Sequence, residues 1–136
     1  MKIGDSAEFS KTISESDVYM FAGITGDFNP IHVNSEYAKN SIFSNRIVHG
    51  MLTSSLISTI LGTKMPGEGT IFLEQNVKFK KPVYIGDTVR AEIVLSEVIN
   101  YEKGIIKFED KIFNHDKQVV IEGYSIVKID KEKIER

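Results

Sequence analysis

The spacing of apolar residues divides the chain into a helical first part and a strand-rich second part. Between residues 48 and 62, the sequence VHGMLTSSLISTILG places apolar residues three and four positions apart, which is typical of an α-helix. This segment contains no Asp, Glu, Lys or Arg, whereas a surface helix normally carries charge on its outer face. The pattern therefore predicts a central helix that the rest of the fold encloses on most sides.

Two shorter helices are predicted before the central one. Ser14 followed by Asp17 resembles an N-cap with an acidic third residue, so a helix is expected to run from there to about Ala22. The stretch GITGDFNP then interrupts the helix with two glycines and a proline. A short helix is expected over residues 34 to 38, capped by the Asn or Ser at its start.

The second part of the chain alternates apolar and polar residues, as in the run from Thr88 to Leu95. A period of two with one apolar face is expected of an antiparallel sheet. The segments IGD and NHDK read as turns between strands. Strands are predicted over residues 6–13, around 77–79, and over 88–95, 104–113 and 118–129.

The economical packing of these elements is a curved antiparallel sheet wrapped around the central helix. This is an α+β fold, and we expect a single domain spanning residues 1–136. An open sheet has edge strands with unpaired backbone groups, which invite pairing with a second copy of the chain.

Composition narrows the function classes. The chain has 41% apolar and 26% charged residues and a net charge of −2, whereas nucleic-acid binders usually show a basic excess. There are no cysteines, which fits a reducing compartment. The start of the chain lacks the apolar run of a signal peptide, and no uncharged stretch approaches the roughly 20 apolar residues of a membrane span. We predict a cytoplasmic protein with neither nucleic acid nor membrane as a partner.

Residues 25 to 32, TGDFNPIH, contain the first candidate chemistry. Asp27 and His32 can both move protons, and the Asn29–Pro30 pair between them bends the chain. From these eight residues alone, a structural turn and an acid–base site both remain possible.

Three segments together resemble a known family. FAGITGDFNPIHVNSEYA, NRIVHGMLTSSLISTILG and VKFKKPVYIGDTVRAEIVL follow one another as in the MaoC-like branch of the hot-dog fold. Within that branch the chain is most similar to the short, single-domain (R)-specific enoyl-CoA hydratases, which supply polyhydroxyalkanoate synthesis. The resemblance covers residues 5 to 129. It implies a hot-dog fold, an antiparallel sheet around a central helix, and a homodimer that can assemble further.

The resemblance implies a hydro-lyase that adds water reversibly, with syn geometry, to trans-2-enoyl-CoA and gives (R)-3-hydroxyacyl-CoA. Asp27 and His32 would hold the catalytic water, with Asp27 as the base, and Asn29 would turn the loop and offer a hydrogen bond. The main-chain N–H of Gly50, with Met51 beside it, would stabilise the thioester oxygen, because the first N–H groups of a helix lack internal partners.

Further positions are expected to contact the substrate. His49 is interpreted as a structural residue that fixes the start of the central helix, in preference to a catalytic one. The acyl chain would lie in a tunnel between helix and sheet, where the bulk of Leu61 favours short to medium chains. The tunnel candidates are Met51, Ser54, Ser55, Ser58 and Leu61, of which the resemblance favours Ser58 and Leu61, with Ile126 closing the far end.

Coenzyme A is expected only as part of the substrate, and no separate cofactor is predicted. Its phosphates could be contacted by exposed basic residues, although such residues are more often simply solvated. No metal site is predicted, because the three histidines are far apart in the sequence. His115, in a predicted turn, is given no role. The phosphate-binding candidates are Arg46, Lys78, Lys80 and Lys81.

Three alternative functions remain. A (R)-3-hydroxyacyl-[acyl-carrier-protein] dehydratase would share Asp27 and His32 and differ in the surface that meets the carrier. An acyl-CoA thioesterase would occur on the same fold but without this pairing of motifs. A non-catalytic acyl-CoA-binding module would keep the tunnel without needing both proton-transfer residues.

Overall fold

The computed structural model describes all 136 residues. Its helices are α1 (Glu15–Thr25), α2 (Pro30–Val33), α3 (Ser35–Lys39) and α4 (Gly50–Thr63). Its strands are β1 (Ser6–Thr12), β2 (Ile71–Phe79), β3 (Thr88–Asn100), β4 (Ile105–Phe113) and β5 (Val119–Lys128), followed by a 3₁₀ turn at Lys131–Lys133.

The five strands form one sheet in the order β1-β3-β4-β5-β2, and every neighbouring pair is antiparallel. The predicted antiparallel sheet is therefore confirmed. Strand β2 starts at Ile71, well before the alternation that begins at Val77. The reason is that β2 is an edge strand whose first five residues are exposed on both faces, so no alternation marks them, and a register shift between Phe72 and Glu74 interrupts the pairing further.

The sheet curves around α4, and the main core lies between them. Ile57, Ile60 and Leu61 of α4 are almost completely buried against the inner side chains of β3, β4 and β5. The sheet contributes mainly β-branched and aromatic residues to this core, which suits side chains that pack on a pleated surface. The predicted α+β class and hot-dog architecture are confirmed.

One face of α4 is not covered by the chain itself. Met51 is 57% exposed, and Ser55, Ser58 and Gly62 are also exposed. These residues recur every three or four positions and form one continuous stripe without charge. The prediction that α4 is enclosed on most sides therefore needs correction for a single chain, because this stripe has no covering element.

Helix α1 begins with the expected N-cap. The Ser14 N–H donates to the Asp17 carboxylate at 2.9 Å, and the Asp17 N–H donates to Ser14 Oγ at 3.1 Å, which completes a capping box. The helix continues three residues past Ala22 and ends where Gly26 adopts a left-handed conformation with φ of 82°. Asp27 therefore leaves the helix immediately after a sharp turn.

Candidate active site

The loop between α1 and α2 presents the Asp27 carboxylate. The Asp27 N–H donates to Thr25 Oγ1 at 3.1 Å, and Asp27 Oδ1 accepts from the Asn29 N–H at 3.2 Å. Asn29 then caps α2, because its Oδ1 accepts from the Ile31 N–H at 3.2 Å. Asn29 and Pro30 thus turn the loop as expected. The local hydrogen bonds fix the direction of an otherwise exposed carboxylate.

His32 lies in the single turn α2 and is buried, with 8% of its surface exposed. Its Nδ1 lies 2.7 Å from the Ile47 carbonyl oxygen, so Nδ1–H donates and Nε2 remains free to accept. Burial lowers the pKa of His32 from its ordinary value, and the neighbouring His49 lowers it further. The Ile47 hydrogen bond and the Asp27 charge oppose this shift. The neutral imidazole is therefore the favoured form.

The fold brings Asp27 and His32 to one place. A carboxylate oxygen of Asp27 and one ring nitrogen each of His32 and His49 lie within 4.8 Å of one another. One water molecule between Asp27 and His32 can reach hydrogen-bonding distance of both at this separation. The convergence expected from the sequence is present, while the catalytic roles of the two residues stay predictions.

His49 contacts both Asp27 and His32. It is 2% exposed and occupies the N-cap position of α4, where its side chain makes no capping bond. Its Nε2–H donates to the Asp27 backbone carbonyl at 2.9 Å, and its ring stacks on His32. The ring centroid of Phe21 lies 4.9 Å away on another side. These contacts with protein atoms agree with a structural role for His49.

The spatial arrangement corrects one argument about metals. The spacing of the histidines in the sequence predicts that they cannot bind one metal ion together, yet His32 and His49 lie close to each other and to Asp27. Two of the ring nitrogens are already engaged by backbone carbonyls, and His49 Nδ1 is shielded from solvent. The free groups that remain are the Asp27 carboxylate and His32 Nε2. We still predict that this site binds no metal ion.

Gly50 is the first residue of α4, and its N–H has no hydrogen-bond partner, nor has that of Met51. The helix dipole and these free N–H groups favour negative charge at this point. A Cβ atom at Gly50 would lie 2.5 Å from the Phe79 ring, so the aromatic side chain packs directly over the glycine. Residue 50 therefore has room for a side chain only if the Phe79 ring moves.

A cavity of about 490 Å³ adjoins this helix tip. Gly50 and Met51 line it from the helix, and Lys80 and Lys81 line it from the segment after β2. Its volume lies in the usual range for small-molecule sites, roughly 300–1,000 Å³. The remaining lining residues are Phe43, Val48, Thr53, Phe79, Pro82, Val83 and Ile121.

The predicted tunnel residues are divided between two environments. Leu61 is 1% exposed and belongs to the hydrophobic core. Ser54 is also buried, on the inner side of α4. Ser55 and Ser58 lie on the exposed stripe of α4. Neither Ser58 nor Leu61 borders the cavity beside Gly50. Their roles in holding an acyl chain stay predictions.

Ile126 is partly exposed, and its role in closing the acyl tunnel stays a prediction. It pairs with Lys107 of β4 and Glu74 of β2, and it is not part of the core between α4 and the sheet. Its neighbours Ser125 and Val127 are fully buried instead. Because strand side chains alternate, a shift of one residue reverses the face. The position facing α4 near the strand end is Val127.

The basic candidates also differ in their surroundings. Arg46 donates to the Tyr19 hydroxyl at 2.8 Å and pairs with Glu15 at 3.2 Å, so its guanidinium is already engaged. Lys80 pairs with Glu122 at 3.3 Å but also borders the cavity, as does Lys81. Lys78 faces the outer side of the sheet, and His115 lies exposed in its turn beside Asp116.

Sequence reasoning missed three residues. Neither Phe79 nor Thr53 stands out in the sequence, because Phe79 reads as one residue of a strand and Thr53 as one of several hydroxyl residues in the central helix. Asp110 was not singled out, although the alternation of Ile106, Phe108 and Ile112 already places it on the inner face of β4. A charged residue at a strand position that alternation assigns to the buried face is unusual, and this signal can be read from the sequence.

Comparison with known proteins establishes the family. Residues 2–114 match the family model described as MaoC like domain, so this chain belongs to the MaoC-like family. An (R)-specific enoyl-CoA hydratase from Rhodospirillum rubrum is 47% identical over 129 residues, which cover 95% of this chain and 88% of the relative. A 3-hydroxyacyl-[acyl-carrier-protein] dehydratase from Arabidopsis thaliana is 39% identical, covering 90% of this chain and 74% of the relative.

A solved structure shows the same fold. The (R)-hydratase from Aeromonas caviae involved in PHA biosynthesis superposes with a TM-score of 0.92 at 36% identity, covering 96% of this chain and 98% of that one. No helix here has the length and hydropathy needed to cross a membrane. The cytoplasmic location stays a prediction.

Proposed function

We propose that this chain is an (R)-specific enoyl-CoA hydratase, which adds water reversibly to trans-2-enoyl-CoA and forms (R)-3-hydroxyacyl-CoA. The observation that carries the proposal is the convergence of Asp27 and His32 within 4.8 Å, next to a helix that begins with the unpaired N–H of Gly50. The names and identities of the relatives support the same reaction class.

The proposed reaction needs three groups. Asp27 and His32 orient one water molecule, and Asp27 takes a proton as the water oxygen bonds to C3. The C2–C3 π electrons move toward the thioester, and the Gly50 N–H stabilises the oxygen that gains negative charge. The same proton then returns to C2 on the same face, which gives syn addition. No other reactant is consumed.

His32 is suited to the acceptor half of this pair. Its Nδ1–H is held by the Ile47 carbonyl, so Nε2 carries the free lone pair. Its lowered pKa keeps the imidazole neutral and able to accept a hydrogen bond from the water.

Hydration of crotonyl-CoA and longer enoyl-CoA substrates, with chiral analysis of the 3-hydroxyacyl product, tests the proposal. We expect the (R) product and loss of the enoyl absorbance without release of free thiol. An (S) product, or release of CoA thiol at a rate that rivals hydration, would rule out this activity, and the second outcome would favour a thioesterase. Binding of acyl-CoA without turnover would favour the non-catalytic module.

The carrier is a second question, because a relative named for an acyl-carrier-protein substrate is 39% identical. Coenzyme A is the proposed carrier, since only two lysines border the cavity beside Gly50, whereas an acidic carrier protein calls for a broad basic face. Comparing kcat/KM for crotonyl-CoA and crotonyl-acyl-carrier protein decides this. A clear preference for the carrier protein would overturn the choice of CoA.

We also propose a homodimer. Strand β2 is a free edge, and its Ile71, Phe72 and Leu73 are exposed, while the uncharged stripe of α4 is open as well. A free apolar edge and an open apolar stripe are surfaces that a second copy can cover. Sedimentation equilibrium should give twice the chain mass, and Leu73→Lys should shift it toward the monomer. A monomeric wild-type protein would contradict this.

A further inference from the structure

One hydroxyl group of α4 is buried without a hydrogen-bond partner. Ser54, Ser55 and Thr63 each donate to a carbonyl one turn earlier in the helix, at 3.1, 2.6 and 2.6 Å. Thr53 makes no such bond, and its Oγ1 has no partner although the residue is only 1% exposed. A buried hydroxyl without a partner costs about 1–3 kcal/mol, so the fold gains nothing from this group by itself.

Thr53 lines the cavity that adjoins the helix tip. It lies three positions after Gly50, which places the two residues on one face of α4 with side chains about 5–6 Å apart. The free Gly50 N–H therefore lies beside a cavity that Thr53 also lines, and the Thr53 hydroxyl is shielded and unpartnered until its side chain turns toward the cavity.

The position of the cavity indicates which part of a thioester would occupy it. In the proposed reaction C2 and C3 of the acyl group lie next to Asp27 and His32, which do not line the cavity, so these two atoms would lie outside it. The sulfur side of the thioester then extends into the cavity toward Lys80 and Lys81. In coenzyme A this side is the pantetheine arm, with an amide two methylene groups beyond the sulfur and phosphates at its far end.

We propose that the Thr53 hydroxyl hydrogen-bonds the pantetheine amide nearest the sulfur and so fixes the thioester against the Gly50 N–H. This inference rests on the proposed function and adds a recognition point for the carrier arm. A threonine in a helix has two accessible χ1 rotamers, and Thr53 has no existing bond to break when it turns to the ligand. The amide supplies the partner that the folded chain does not.

Binding of unreactive butyryl thioesters tests the inference independently of turnover. Thr53→Val, which keeps the shape and removes the hydroxyl, should raise Kd for butyryl-CoA and for butyryl-N-acetylcysteamine about fivefold. Kd for a butyryl alkyl thioester of the same length, without the amide, should not change. Thr53→Ser should restore tight binding. Thermal unfolding of Thr53→Val should be unchanged or shifted upward, because an unpartnered hydroxyl is removed.

Three results would overturn the inference. The first is that Thr53→Val leaves Kd unchanged for all three ligands. The second is that it weakens binding of the amide-free thioester as much as binding of the other two. The third is that it lowers Tm and weakens binding of all three ligands equally. The proposed function fails separately, if the wild-type protein does not hydrate crotonyl-CoA, and the Kd comparison still decides the role of Thr53 in that case.

Discussion

The imidazole rings of His32 and His49 are stacked, with their centroids 3.9 Å apart and their planes inclined by 29°. Each ring is anchored by a different backbone carbonyl, that of Ile47 for His32 and that of Asp27 for His49. The stack therefore ties the loop that carries Asp27 to the start of α4. It also places two ionisable rings where a charge on one disfavours a charge on the other.

The lowered pKa of His32, caused first by burial, predicts a pH dependence of stability. Between the native pKa and the ordinary value of 6.5, the unfolded chain binds more protons at this residue, so the contribution of His32 to the free energy of unfolding should fall as pH drops below about 6.5. His32→Gln should remove this part of the decline, measured by urea unfolding between pH 5 and about 7.5. The exposed His115→Gln is the matched control and should leave the decline unchanged.

Replacing the carboxylate should remove activity without removing the fold. Asp27→Asn keeps an oxygen that can accept from the Asn29 N–H but cannot take a proton from water, so kcat should fall roughly 10²–10⁴-fold with an unchanged Tm. Asp5→Asn, in another turn where the carboxylate accepts from the Lys2 N–H, is the matched control. Near-normal hydration by Asp27→Asn would contradict the assignment.

A side chain at the helix tip should collide with the aromatic ring above it. In Gly50→Ala the new Cβ meets the Phe79 ring at 2.5 Å, so we expect a loss of about 1–3 kcal/mol in stability and a lower kcat/KM. Phe79→Leu in the same chain should recover part of the stability. Gly23→Ala, exposed in α1 with no atom within 4 Å, should instead stabilise that helix by about 0.5–1 kcal/mol. Equal effects at both glycines would argue against the packing described.

The buried carboxyl of Asp110 predicts instability at higher pH. Burial raises its pKa to about 7, with a smaller increase from Glu109, while the hydrogen bond donated by Ser125 Oγ opposes the shift. The folded chain therefore binds the extra proton, and the contribution of Asp110 to stability should fall as pH rises from about 4 through 7.

Asp110→Asn should abolish that fall and raise the free energy of unfolding at pH 8 by as much as about 4 kcal/mol. The exposed Asp116→Asn is the control, and urea unfolding across this pH range is the measurement. Parallel pH profiles for wild-type and Asp110→Asn would show that this carboxyl titrates normally.

The exposed stripe of α4 allows a test of acyl-chain selection. Ser58→Leu should shift the preferred substrate to shorter enoyl-CoA chains, because the added volume occupies space that a long acyl chain would need. The profile of kcat/KM from C4 to C12 measures the shift. Ser16→Leu on α1, also an exposed helical serine, should not alter it. An unchanged profile for Ser58→Leu would remove Ser58 from the acyl site.

The sequence by itself determined the elements and much of the candidate site. The capping box at Ser14, the uncharged α4 and the alternation in β3 appear where their local patterns placed them, whereas β2 starts earlier than its pattern predicted. The loop that carries Asp27 and His32 also turns as its Asn29–Pro30 pair indicated. These features depend on interactions between residues only a few positions apart, which a local pattern records directly.

Only the tertiary structure decided which distant groups meet. It stacked His49 on His32, placed Phe79 over Gly50 and left Thr53 without a partner at a cavity wall. It also turned Ile126 away from α4, because a strand face is fixed by register with its neighbours and one residue reverses it. Such contacts join segments that are far apart in the chain. The distance between those segments is set by the packing of the whole sheet around α4, and local spacing in the sequence does not record it.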